Sequence, residues 1–152
     1  MAYFPLLILS GWDDFTVDER KISLQAQMET LITHDMLHLK KHPEQREIRD
    51  FPLRYMMKKR PQEIDEWWDV QHCIDMGGGD CKDFSAWMVA SLRLASTADC
   101  YPWITSHIYE DPDNAGPPVT LYHVRVRVHD QILDPSAWFG MPSTVSYSEL
   151  RA

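Results

Sequence analysis

The apolar positions of the first third of the chain follow a helical period, if loosely. Ile22, Leu24, Met28, Leu31, Ile32, Leu37 and Leu39 are its candidate buried positions. Just upstream, Thr16-Val17-Asp18-Glu19 has the form of a capping box, with Glu three residues after Thr. A helix is therefore predicted from there to Lys41, where Pro43 stops it. "EQREIRD" and "LRYMMKKR" are short, charged and separated by Pro52, and a helix is expected to include part of them. Pro61 suits a first helical turn. Ile64, Trp67, Trp68, Gln71 and Ile74 lie near one side, so a second helix is predicted up to Gly77. A third begins around Cys81, where Phe84, Trp87, Met88, Ser91 and Leu92 form one stripe.

After Thr97 the period changes. "CYPWITSHIY" reads as a strand, and "EDPDNAGPPV" as a loop by its Pro, Gly, Asp and Asn content. In "TLYHVRVRV", Val124, Val126 and Val128 alternate with His123, Arg125 and Arg127, the mark of a half-buried strand. "QILDPSAW" is its expected hairpin partner. Helices first and a small antiparallel sheet afterwards predict an α+β fold.

Composition narrows this picture. A chain of 152 residues with 44% hydrophobic and 25% charged residues fits one globular domain. A formal net charge of -8 argues against a nucleic-acid partner, which needs a basic face. The apolar run Leu6 to Leu9 is too short to span a membrane and lacks the flanks of a signal peptide. It reads as a buried strand or an anchoring segment, and both chain ends are expected to dock on the domain or on a neighbour. Cys73, Cys81 and Cys100 are odd in number and form no CxxC, so a reduced chain is expected, cytoplasmic or virion-associated. No cofactor is expected: the glycine run is no phosphate loop, because no Lys-Ser/Thr pair follows it.

The candidate chemistry lies in "GGGDCKD". Gly77, Gly78 and Gly79 let the backbone turn tightly into a helix, leaving room for a substrate beside Cys81. Asp80 or Asp83 can accept first-turn amides. A helix N-terminus and a nearby imidazolium both favour a thiolate, and amides left free there could hold an oxyanion. His123 on the alternating strand is the candidate base and Asp134 its orienter. A turn at Val128-His129 would place His123 directly opposite Asp134. A turn at His129-Asp130 would place it opposite Ser136, and both registers stay open.

"GGGDCKD", "YHVRVRV" and "ILDPS", in this order, resemble the transglutaminase-like superfamily of cysteine proteases and acyltransferases, which is papain-like in its chemistry. The resemblance covers about Trp67 to Ser136. It implies Cys81 as nucleophile, His123 as base and Asp134 as orienter, with an acyl-enzyme thioester passed to water or to an amine. It implies no metal, a protein or peptide substrate, and a bacterial or phage-type protein. Within one domain over 1–152, it sets an N-terminal helical part (1–66) before a catalytic-type core (67–140) and a C-terminal tail (141–152). Lys82 stands where the family usually has an acid, and the step from His123 to Asp134 is shorter than the family hairpin. The oxyanion and cleft candidates are Gly79, Asp80, Trp68 and Gln71, with Trp67 beside them.

Two other readings belong to different classes. One is a structural or assembly module of a virion or other large complex, retaining the fold and binding protein partners. The other is zinc binding. His34, His38 and His42 lie four apart, and "HDMLH" is one residue from the zinc-protease pattern.

Overall fold

A computed structural model describes residues 11–57, 66–96 and 99–143. The N-terminal apolar run, Pro61 and the C-terminal end lie outside them. Helix α1, Val17–Lys41, starts as its sequence requires. The Glu19 amide donates to Thr16 Oγ1 and the Thr16 amide donates back to Glu19 Oε1. Its buried face is Leu24, Met28, Ile32, Asp35 and Leu39, a single helical stripe. Ile22 and Leu37 fall off that stripe and are 70% and 59% exposed, which is why the apolar spacing fits a helix only loosely.

Between Pro43 and Pro52 there is room only for single 3-10 turns, at Pro43–Gln45 and Ile48–Asp50. Strand β1 is Arg54–Tyr55, and helix α2 is Val70–Met76. The second helix is thus shorter than predicted: residues 66–69 are not helical. Its start is set by Asp69, whose carboxylate accepts the His72 amide at 2.8 Å. Trp67 and Trp68 precede the helix. Strand β2 is Gly78–Gly79, helix α3 is Cys81–Leu94, and strands β3, β4 and β5 are Cys100–Tyr109, Val119–Val128 and Gln131–Leu133. A short helix α4, Pro135–Trp138, ends the described part. β3, β4 and β5 form an antiparallel sheet in that order; β1 and β2 form a separate parallel pair. The class is α+β.

Helix α3 packs against α1 on one side and the β3–β4 sheet on the other. Burial therefore departs from the predicted stripe: Phe84 and Trp87 are buried together with Ser85, Ala86, Val89 and Ala90, while Met88, Ser91 and Leu92 are only partly buried. Met28 and Ile32 from α1 meet Phe84 and Trp87 from α3 and Val124 and Val126 from β4 in one core. The N-terminal helix thus belongs to the same core as the Cys81 helix. No described helix is long and apolar enough to cross a membrane.

The histidine-rich stretch of α1 has a packing role. Asp35, fully buried, accepts the Val70 amide at 3.2 Å and so helps to start α2. His34 pairs with Asp69 at 3.1 Å, and His38 bonds Gln45 at 2.7 Å. No cluster of three metal-ligating groups occurs among the described residues. Burial, together with Asp69 and Asp83 nearby, pushes the Asp35 carboxyl well above its ordinary value, against the Val70 hydrogen bond. The folded chain then holds this proton more tightly than the unfolded chain. Above the ordinary aspartate range, stability should fall with rising pH by up to about 1.4 kcal/mol per unit, until the folded-state value is passed. Asp35→Asn should remove that slope. Urea midpoints of both proteins across pH 4 to 9 will test this; parallel profiles would contradict it.

Candidate active site

Each glycine before Cys81 has its own structural reason. Gly77 caps α2 in the left-handed region at φ 73°. Gly78 lets β1 lie flush against β2, and Gly79 lets β2 lie close to α2 and α3. A Cβ on Gly78 would strike the Arg54 carbonyl oxygen and come within 2.7 Å of Met56 sulfur. One on Gly79 would come within 3.1 Å of both Asp83 Oδ2 and Cys73 Sγ. The room expected here for substrate is taken up by protein at two of the three glycines: β1 lies against Gly78, and Asp83 and Cys73 lie against Gly79.

This arm delivers Cys81 to the first position of α3. Asp80 caps the helix: its Oδ1 accepts the Lys82 amide at 3.2 Å and the Asp83 amide at 3.4 Å. Asp83 Oδ2 accepts the Asp80 amide at 2.9 Å, and Oδ1 the Trp68 amide at 2.8 Å. Lys82 is buried; its ammonium bonds Asp80 Oδ2 and stands 5.4 Å from the Trp67 ring centroid.

The helix start was expected to favour a thiolate, and here the structure corrects the sequence. Burial first, then the Asp80 and Asp83 carboxylates, push the Cys81 thiol up to about 12. The Val124 amide, which hydrogen-bonds the sulfur, and the Lys82 charge only partly offset this. The acids that cap the helix also oppose a second negative charge at its mouth. The thiol is therefore held neutral around neutral pH. Cys73 and Cys100 are buried at 0% and 2% exposure, whereas Cys81 is partly open. Iodoacetamide should thus alkylate Cys81 first, at a rate that climbs about tenfold per pH unit through pH 10. Mass-spectrometric labelling rates will show this, and a plateau below pH 7 would contradict it.

Strand β4 supplies the other half of the site. It pairs Val126 with Leu133 and Val128 with Gln131, so the turn is His129-Asp130, with His129 at φ 51°. Of the two registers open from sequence, this is the one that sets Asp134 opposite Arg125 rather than His123. His123 nonetheless reaches the carboxylate as a diagonal neighbour on the same face. His123 Nε2 lies 2.8 Å from Asp134 Oδ2, and Arg125 Nε donates to the same oxygen at 3.3 Å. Burial alone would raise the Asp134 carboxyl; the His123 and Arg125 hydrogen bonds and charges outweigh it and hold it below its ordinary value.

The next position on that strand explains how Cys81 arrives. Continuing the register, Val124 faces Pro135, which has no N–H and begins α4. Helix α3 occupies the vacated edge instead. Ser85 Oγ donates to the Val124 carbonyl at 3.0 Å, and the Val124 amide meets the Cys81 sulfur one helical turn earlier. Cys81 is therefore held beside the residue that follows His123. No hydrogen bond joins its sulfur to the imidazole, and His123 Nδ1 has no partner among the described residues.

The other sequence candidates are engaged elsewhere. Gln71 donates to Asp75 at 2.9 Å and accepts from Gln45 at 3.2 Å. Trp68 Nε1 donates to Glu66 at 3.2 Å. Gly79 and Asp80 serve the β1–β2 pair and the helix cap. Tyr55 was not foreseen: burial, then Cys81 and Asp80, raise its phenol, with Asp134 adding to the effect. Only the parallel β1–β2 pairing, invisible in local sequence, brings it here. Two concavities, of about 90 and 210 Å³, lie around Arg46, Met88 and Trp138 and around Glu110 and Asn114; neither is lined by Cys81, His123 or Asp134. No family model, curated protein or solved structure matches the chain.

Proposed function

We propose that this chain has a transglutaminase-like fold and is a thiol-dependent hydrolase of peptide, isopeptide or side-chain amide bonds in protein or peptide substrates. The observation that carries this reading is the 2.8 Å His123–Asp134 bond on the strand whose next amide meets the Cys81 sulfur. Because Asp134 occupies Nε2, Nδ1 is the nitrogen left for the thiol proton. With the resting thiol neutral, His123 works as a general base during attack. The sulfur bonds to the carbonyl carbon as its proton moves to Nδ1, and the carbonyl electron pair moves onto oxygen. Asp134 stabilises the imidazolium. Collapse breaks the C–N bond, and His123 returns the proton to the departing amine. Water, activated by His123, then cleaves the thioester; an amine in place of water would make the reaction a transfer.

A second reading, an assembly module that retains this fold, is favoured by the neutral Cys81 thiol and the absence of a Cys81–His123 hydrogen bond. An acyl-type activity probe separates the two. The hydrolase reading expects labelling of wild type and none of Cys81→Ala. Equal labelling of both, or of neither, would favour the module.

A further inference from the structure

An acyl-transfer site needs a donor for the oxygen that becomes negative. At α3 the amides of Lys82 and Asp83 are already bonded to Asp80, and that of Asp80 to Asp83. The Cys81 amide is left as one donor. Trp68 and Gln71 spend their side-chain donors on Glu66 and Asp75. A second donor must come from another element.

We infer that Tyr55 is that donor, its hydroxyl receiving the carbonyl oxygen of an acyl group attacked by Cys81; the inference rests on the hydrolase reading above. Tyr55 lies where the two arms of the site meet. It pairs with Gly79, two residues before Cys81, and the flanking Arg54 and Met56 amides donate to Gly77 and Gly79 carbonyls at 3.0 and 2.8 Å. Its own amide donates to Phe139 at 2.8 Å, at the end of the helix that Asp134 begins. The ring is half-buried against the core. The residue is partly exposed, and its hydroxyl makes no hydrogen bond with the described residues. Burial and the negative groups around it keep the phenol protonated, and hence a donor, throughout the working pH range. In the step itself Tyr55 keeps its proton: the carbonyl oxygen gains the electron pair, Tyr55 hydrogen-bonds it, and the pair returns as the leaving group departs.

The test compares two reactions of the same sulfur. p-Nitrophenyl acetate acetylates Cys81 through an oxyanion and releases p-nitrophenolate. Iodoacetamide alkylates it by displacement of iodide, with no oxyanion. Tyr55→Phe keeps the ring, and it should lower acetylation about 100-fold while alkylation stays within about twofold of wild type. Unchanged acetylation would overturn the inference, as would an equal fall in both rates, which marks a purely structural role. If wild type itself gives no Cys81-dependent acetylation, the hydrolase reading fails and the Tyr55 role goes with it.

Discussion

His123→Ala should lower Cys81-dependent turnover of an activated ester by about 10⁴-fold, with the fold intact. The base is the group that accepts the thiol proton during attack, and a thiol pushed up to about 12 is scarcely ionised at neutral pH without it. An enzyme with a preformed thiolate would lose much less in acylation, since its sulfur is already deprotonated. Asp134→Asn should approach the same loss for a different reason. The amide can still sit at 2.8 Å from Nε2, but it cannot stabilise the imidazolium. Initial rates at several pH values will check both. Loss of activity should be partly relieved at high pH in His123→Ala, where hydroxide can ionise the thiol. Wild-type rates in either variant would remove Cys81, His123 and Asp134 as a functional set.

Gly78→Ala should be the most damaging single methyl addition in the glycine run, destabilising the chain by about 3 kcal/mol or more. The added carbon meets the Arg54 carbonyl oxygen, a backbone atom that cannot rotate away, and Met56 sulfur behind it. Relief requires β1 to move off β2, which breaks the Met56–Gly79 hydrogen bond at 2.8 Å. Gly77→Ala has open space and faces only the strain of φ 73°, about 1 kcal/mol. Urea denaturation of the two variants will separate close approach from backbone strain. Equal losses would mean that the β1–β2 contact contributes little.

What was legible in the sequence was local. The α1 capping box, the α3 start at Cys81 and the alternation of Val124, Val126 and Val128 depend on neighbours a few residues apart, and each stands where the pattern placed it. The second helix ends at Gly77 as predicted, but residues 66–69 stay outside it because Asp69, with Asp35 arriving from α1, supplies the cap of α2. His123 and Asp134 were legible as partners, though their register was not: Val128-His129 and His129-Asp130 are both poor two-residue turns by residue type. Gly77 was legible as the end of α2, but Gly78 was misread because its reason lies in β1, more than twenty residues away. The thiol was misread for an electrostatic reason. A helix start attracts negative charge, but burial disfavours a charged sulfur there, and Asp80 and Asp83 add to that by already occupying the helix mouth.

The hairpin at His129-Asp130 has a consequence for how such a site can be gained or lost. Side chains alternate between faces, so His123 and Asp134 share a face in the observed register and would still do so after a slip of two residues. A slip of one would send Asp134 to the face of Val124 and Val126. The acid–base pair is thus governed by the parity of the chain between them. Substitutions in the turn leave that parity untouched, whereas inserting or deleting a single residue there reverses it. One indel in a turn that touches neither side chain could therefore retire the chemistry, and a second nearby could bring it back.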